Sequence, residues 1–123
     1  MALEFPELLR RCGRPASRGA EIARLLQPER SDYCVLKPKH SGFYATPLAT
    51  LLEHIGAREL ILTGIASPQC IMFTAMDAYV REYRLSIPSD CVVGLNTREQ
   101  RYSCYFFRRI LKAHVARGAA LKL

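Results

Sequence analysis

The apolar residues of the chain follow two different periods, one typical of strands and one typical of helices. Continuous apolar runs of strand length lie at 33–37 (YCVLK) and 59–64 (ELILTG), and RLSIPSD at 84–90 predicts a third short strand. Helical spacing is found in five segments, which lie at 3–12, 19–28, 48–55, after Ser67 and after Thr97. The central strand–helix alternation predicts an α/β domain with a parallel sheet and right-handed crossovers.

Polar residues mark the predicted starts of three helices. Thr46 and Ser67 each precede a proline, a pair typical of a capping residue followed by proline at the first helical position. Thr97 and Gln100 have the spacing of a capping box. These signals predict that Ser67 caps the helix that follows the strand ELILTG.

Composition and charge narrow the class of protein. Half of the 123 residues are hydrophobic and 24% are charged, which is ordinary for one globular domain. The net charge of +7 suits a solvated basic surface, steering of an anionic substrate, or a nucleic-acid-binding module. The last is the weakest of these, because the aromatic residues form no RNA-binding motif. No transmembrane helix and no signal peptide are predicted, so no membrane partner is expected.

The five cysteines favour a reducing, cytoplasmic compartment with free thiols. They are odd in number and form neither a CxxC pair nor a zinc spacing. Most buried free cysteines act as small hydrophobic residues, so each of them has an ordinary interpretation. The five are Cys12, Cys34, Cys70, Cys91 and Cys104.

Cys70 differs from the others in its position. It lies in the predicted first turn of a helix, six residues past Gly64, where the strand ELILTG ends. Unpaired N–H groups and the helix dipole favour a thiolate there, and ligands of α/β sheets bind at the carboxyl ends of strands. Lys37 ends the preceding predicted strand, so the two side chains are expected at one sheet edge. Alternatively, the Lys37 side chain extends into solvent. Lys39, two residues later, is the other lysine that could take the place beside Cys70.

Together these residues resemble the isochorismatase-like cysteine hydrolases, which include nicotinamidases and N-carbamoylsarcosine amidases. The resemblance runs from about Gly19 to the end of the chain, so 1–123 is identified as one partial domain with a poorly matched segment at 1–18. Its motifs are K-x-x-x-S-x-F-x-x-T-x-L at 37–48, Cys70 after the Gly64 strand, and T-A-x-D-A at 74–78. It implies a three-layer, Rossmann-like parallel sheet flanked by helices.

The resemblance also implies roles for individual residues. Cys70 is the nucleophile that attacks a small amide, and Lys37 stabilises the thiolate and assists proton transfer. The backbone N–H groups of Ala66 and Cys70 form an oxyanion hole, preceded by a non-proline cis bond whose counterpart here is Ile65–Ala66. Phe43 helps to shape the pocket, and Thr46 is interpreted as a helix cap.

The chain departs from the family pattern near its start. The family's catalytic Asp lies on a first strand, whereas the 36 residues before Lys37 contain one aspartate, Asp32, just before the predicted strand 33–37. The N-terminal βαβ portion is therefore expected to be missing, and with it any metal ligands, so no metal and no cofactor are predicted. Glu82 also replaces a usual helix-ending glycine, and Cys91 a usual alanine.

Three hypotheses follow for the function. The first is a cysteine hydrolase of small amides, with a small-molecule substrate that the sequence does not identify. The second is a catalytically incomplete member that acts as a binding or oligomerisation domain. The third is a basic nucleic-acid-binding module. Apolar edges left by a missing half predict a homo-oligomer.

Overall fold

A computed structural model of the chain describes residues 20–121, which divide into two units between Cys34 and Val35. The described part of the first unit contains helix α1 at Ala20–Leu25. A turn follows, in which the Asp32 carboxylate accepts a hydrogen bond from Glu29 N–H at 2.8 Å. The helix predicted over 3–12 and the segment 1–18 lie outside the described residues.

The second unit is built on short parallel strands. Their bounds are Glu59–Ile61 (β1), Gly64–Ile65 (β2), Arg84–Ser86 (β3) and Val92–Val93 (β4). β1 pairs with β3 and β2 pairs with β4, both in parallel. Hydrogen bonds from Leu62 N–H to Ser86 O, at 3.0 Å, and from Gly64 N–H to Cys91 O, at 2.8 Å, extend the first and the second pairing respectively. The parallel arrangement predicted for the runs at 59–64 and 84–90 is confirmed, whereas β4 was not predicted as a strand.

The helices of the second unit occur in the predicted order along the chain. They are Leu48–His54 (α2), a π-helix at Ser67–Ile71, Met72–Tyr79 (α3), Thr97–Arg109 (α4) and a 3₁₀ turn at Gly118–Ala120. Ala75 and Ala78 of α3, Ile87 and Phe107 are completely buried and form the centre of the core. Small residues on α3 let it lie close to the sheet, while Phe107 fills the space beneath α4.

A segment near the end of the chain covers the free side of β3. His114 N–H donates to Leu85 O, and Ile87 N–H donates to His114 O, both at 2.8 Å. The pattern is a parallel bridge between Ser86 and His114. This pairing was not predicted, because the residues around His114 form no apolar run.

The strand predicted at 33–37 is wrong. These residues belong to no strand, and the side chains of Tyr33 and Leu36 are 67% and 75% exposed. A strand needs a neighbour that pairs with its backbone groups. The apolar composition of this segment is typical of a strand, but the described residues supply no neighbouring strand with which it pairs.

The three predicted helix caps also differ from the structure. Asn96, not Thr97, caps α4, since its Oδ1 accepts from Glu99 N–H at 3.0 Å. Ser67 is the first residue of the π-helix and makes no capping bond. Thr46 accepts from Leu48 N–H at 3.2 Å, but Pro47 occupies the cap position and the helix begins at Leu48, one residue later than predicted. The shift of one residue at α4 leaves the Gln100 side chain available for other partners.

Candidate active site

Cys70 lies in a short segment, Gly64–Ile71, which we name the Cys70 segment. Gly64 has a φ of 112°, a conformation that side-chain-bearing residues rarely adopt. The Ile65–Ala66 peptide bond is cis. Ala66 O then accepts from Gln69 N–H and from Ile71 N–H, the second being the wide i→i−5 bond of a π-helix. The first turn after the strand is thus a π-turn, where the sequence predicted an α-helix.

One side chain, Gln100, fastens the Cys70 segment to the rest of the fold. Its Oε1 accepts from Ser67 Oγ at 3.0 Å and from Gly94 N–H at 2.7 Å. Its Nε2 donates to Ser89 O at 3.1 Å and to Val92 O at 2.9 Å. The amide therefore makes four hydrogen bonds to oxygen and nitrogen partners, which is its full capacity, and its Nε2 also lies 3.9 Å from Cys104 Sγ. Gln100 was missed as a positioning residue because its sequence spacing pointed to a cap.

Residues 37–43, which we name the Lys37 loop, are positioned by side chains. Ser41 is buried, and its Oγ donates to Asp77 Oδ2 and accepts from Phe43 N–H. Gly42 N–H donates to Thr74 Oγ1 at 2.9 Å. Both anchoring residues, Thr74 and Asp77, lie on α3, directly after the Cys70 segment. The T-A-x-D-A motif therefore ties the Lys37 loop to the helix that follows Cys70.

The Asp77 carboxylate is adapted to this role. The hydrogen bond from Ser41 is the main cause that lowers the pKa of Asp77, and Arg81 lowers it further, against an opposing effect of burial. Arg81 Nη1 lies 2.9 Å from Asp77 Oδ1. An ionised carboxylate accepts both bonds at once, so it holds loop and helix together.

The thiol of Cys70 contacts two side chains of the Lys37 loop. Lys37 Nζ donates to Cys70 Sγ at 3.2 Å and to Lys39 O at 3.2 Å. His40 Nδ1 lies 3.7 Å from the same sulfur, and its ring centroid is 5.4 Å from that of Phe73. The structure thus brings Lys37 and Cys70 together across 33 positions of sequence. Sequence reasoning missed His40, whose one signal was its place three residues after Lys37.

Other predicted site residues lie around this centre. Ala66 lies directly before the π-helix, and its carbonyl oxygen accepts from Gln69 N–H at 3.0 Å. Phe43 is buried, with the Arg81 guanidinium 4.8 Å from its ring centroid and the Tyr83 ring at 6.1 Å. These contacts are with the end of α3 and with the residues that follow it. The pocket role of Phe43 and the oxyanion role of Ala66 remain predictions.

Within the described residues, no carboxylate is bonded to the Cys70 thiol. Across 20–121, no hydrogen bond or ion pair joins an acidic side chain to Cys70 or Lys37, and Asp32 accepts from its own turn. Nor does that part of the chain contain a cluster of three metal-ligating side chains.

None of the helices described is long and apolar enough to cross a bilayer. Surface depressions of about 610 and 620 Å³ lie along α4 and beside β3, away from Cys70.

The fold and this site define an α/β domain that places a thiol shortly after a parallel strand and an ammonium beside that thiol. The chain belongs to the isochorismatase family, since it matches the isochorismatase domain over residues 2–117. Among curated proteins, it is 40% identical over 98 residues to the isochorismatase family protein YaaI of Bacillus subtilis, covering 80% of this chain and 54% of that protein.

Two further comparisons agree with this assignment. The chain is 40% identical over 78 residues to the ureidoacrylate amidohydrolase RutB of Methylorubrum extorquens, covering 63% of this chain and 32% of that protein. The solved structure of N-carbamoylsarcosine amidase from Thermoplasma acidophilum superposes with a TM-score of 0.73 at 29% identity, covering 98% of this chain and 69% of that one. The chain spans about half the length or less of these two curated relatives.

Proposed function

We propose that this chain is a hydrolase in which the Cys70 thiolate attacks the carbonyl carbon of a small amide-type substrate and cleaves its C–N bond. The observation that carries the proposal is the 3.2 Å contact between Lys37 Nζ and Cys70 Sγ. A hydrogen bond from an ammonium stabilises a sulfur that bears negative charge, and the thiolate is the nucleophilic form of cysteine. Family membership supports the reaction class.

The proposed roles are those that the resemblance to the cysteine hydrolases implies. Cys70 is the nucleophile, and Lys37 stabilises its negative charge. The N–H groups of Ala66 and Cys70 bind the oxyanion that develops on the substrate carbonyl. Phe43 closes one side of the pocket. The names of two relatives contain a ureido or a carbamoyl group, which makes substrates with such a group the first to test.

Ammonia release from a panel of small amides tests the proposal. The panel contains a primary aromatic amide, an N-carbamoyl amino acid and a ureido-substituted acid. We expect Cys70→Ala to lower turnover by at least about 10³-fold and Lys37→Ala by about 10²-fold. Cys91→Ala is the matched control, because Cys91 is an exposed thiol elsewhere in the fold. We expect this variant to have the turnover of the wild type. Unchanged turnover in Cys70→Ala would rule the mechanism out.

A second candidate function is a binding or oligomerisation domain without turnover. It is favoured by the absence of a carboxylate at the thiol within residues 20–121. Exposed apolar side chains, including Ile65 and Leu95 at 72% each, support association with a second copy. No turnover on the panel, together with a dimer or larger species by light scattering, would favour this function over hydrolysis.

We also propose a cytoplasmic location. The four cysteines within the described residues are free thiols, and Cys34 and Cys91 are exposed. Exposed thiols persist in reducing compartments and become oxidised elsewhere. Thiol titration of protein taken directly from a cell lysate tests this, and a disulfide among these cysteines in that sample would contradict it.

A further inference from the structure

His40 is the third side chain at the thiol, and the proposed mechanism has so far given it no task. Its Nδ1 lies 3.7 Å from Cys70 Sγ, within the range of a hydrogen bond to sulfur. Its ring lies against Phe73, at 5.4 Å between centroids. The imidazole is exposed, so a substrate and a water molecule can reach it.

Lys37 is suited to stabilise a thiolate, but it is not suited to accept the proton that the thiol must lose. Its Nζ donates to both Cys70 Sγ and Lys39 O. A charged ammonium has three donors and no acceptor, so it stabilises a thiolate but does not take a proton from a thiol. An acceptor is still required, and no carboxylate of the described residues contacts the sulfur. A neutral imidazole with its proton on Nε2 presents Nδ1 as that acceptor.

Resting on the proposed function, we infer that His40 is the general base of this site and acts on Cys70 together with Lys37. The S–H bond of Cys70 breaks and its proton moves to His40 Nδ1. The thiolate then forms an S–C bond with the substrate carbonyl, whose π electrons move to oxygen. As the C–N bond breaks, the imidazolium gives its proton to the leaving nitrogen. A water molecule, deprotonated by His40, cleaves the thioester, and the proton returns to sulfur.

The fold holds His40 in place through the residue that follows it. Ser41 is buried and bound to Asp77, and Gly42 is bound to Thr74. His40 is therefore the last exposed residue before an anchored turn, and its backbone is fixed on the side of α3. The same helix supplies Phe73, which lies beside the ring. This anchoring limits the positions open to the imidazole and keeps it close to the sulfur.

The charged groups around His40 are consistent with this role. From its own loop come Lys37 and Lys39, and the π-helix presents Cys70. From α3, the neighbouring aromatic Phe73 is uncharged, while Asp77 is engaged by Ser41 and Arg81. A thiolate at Cys70 therefore contacts both cationic groups of this cluster, the Lys37 ammonium and the His40 imidazolium.

Alkylation of Cys70 by iodoacetamide tests the inference without a substrate. Site-resolved rates by mass spectrometry are measured from pH 5 to pH 9 in the wild type, His40→Gln and His54→Gln. His54 is an exposed histidine at the end of α2, so its variant is the matched control. We expect His40→Gln to slow alkylation at pH 7 by about tenfold or more, because an unassisted thiol is a few per cent thiolate there. Equal rates and equal pH profiles for all three proteins would overturn the inference.

A second measurement is independent of any rate. The His40 ring resonance is followed by NMR against pH in the wild type and in Cys70→Ala, with circular dichroism to verify that each variant is folded. A titration midpoint that moves when the thiol is removed is expected if the two groups share a proton. Coincident curves would overturn the inference.

The two hypotheses fail in different ways. If the amide panel shows no turnover but His40→Gln still slows alkylation, the hydrolase proposal fails and the Cys70–His40 pair remains. If turnover requires Cys70 but neither alkylation nor turnover changes in His40→Gln, the base is another group. For an active enzyme, we expect His40→Gln to lower turnover by about 10²-fold or more.

Discussion

The two halves of the candidate site are positioned by different physical means. The Cys70 segment follows a parallel strand directly and is fixed by backbone pairing of β2 with β4 and by the four bonds of Gln100. The Lys37 loop belongs to no strand or helix and depends on Ser41–Asp77 and Gly42–Thr74. Disrupting the first half should therefore affect the whole fold, and disrupting the second half should affect mainly the site.

This difference is also visible in the exposure of the residues. Ser67 and Ala75, on either side of Cys70, are completely buried, whereas Lys37 and His40 are exposed. Residues with many buried contacts are coupled to global unfolding, while exposed loops open locally at lower free energy. The thiol is consequently held by the core, and the groups that act on it are held by a few polar bonds.

The largest effect is expected from Gln100→Leu, which removes the support of the Cys70 segment. It leaves the Ser67 hydroxyl, the Gly94 N–H and two carbonyl groups without their partner. We expect the free energy of unfolding to fall by about 3 kcal/mol, measured by urea denaturation. Arg98→Gln, an exposed change on the same helix, is the control. A loss in Gln100→Leu no larger than in this control would contradict the central role of Gln100.

The next effect is expected from Asp77→Ala, which releases the Lys37 loop. Ser41 then loses the acceptor of its buried hydroxyl, and we expect a loss of about 1–2 kcal/mol in the free energy of unfolding. Cys70 alkylation should slow toward the rate of Lys37→Ala. Asp77→Asn keeps an acceptor for Ser41 and should lie between Asp77→Ala and the wild type. The comparison of the two halves fails if Gln100→Leu and Asp77→Ala change stability and thiol reactivity in the same proportion.

A smaller effect, this time an increase in the free energy of unfolding, is expected from replacing Glu82, which follows α3. Glu82 has a φ of 64°, which costs a residue with a Cβ, and Tyr83 N–H donates back to Ala78 O as in a Schellman ending. We expect Glu82→Gly to stabilise the fold by about 1 kcal/mol, with Cys70 alkylation unchanged. Glu82→Ala retains the Cβ and serves as the control. Equal stability of the two variants would show that the left-handed conformation is not the cause.

The smallest effect concerns pH. Because the hydrogen bond from Ser41 lowers the pKa of Asp77 in the folded state, this carboxylate contributes stability above about pH 4, the unfolded value. The contribution is lost as the pH falls through the lowered folded pKa. The difference in unfolding free energy between wild type and Asp77→Asn should therefore narrow from pH 6 to pH 3. A difference that stays constant over this range would contradict the assignment.

Much of the fold could be predicted from the sequence because local signals agreed with tertiary contacts. ELILTG and RLSIPSD carry apolar runs, and both form parallel strands, in part of their length. The segment YCVLK carries an equally apolar run and forms none, because pairing depends on a neighbour and not on composition. The same limit applies to His114, which pairs with β3 without any apolar pattern of its own.

The candidate site shows the same division. Cys70 and Lys37 were predicted from motifs, and the structure brings them to 3.2 Å. His40 and Gln100 were not predicted as site residues, although each contacts the Cys70 segment. A polar residue has many local uses, and spacing along the chain favoured a cap for Gln100. Only the placement of its four partners identifies its positioning role.

The sequence by itself determined the α/β pattern, the family motifs and the identity of the thiol and the ammonium. These are properties of short segments, where the period of apolar residues and the spacing of a motif carry the information. Tertiary structure alone decided which apolar runs pair, that a π-turn carries Cys70, and that His40 lies 3.7 Å from the sulfur. The strand pairings and the His40 contact join residues far apart in the sequence, and such partners are chosen only when the chain is folded.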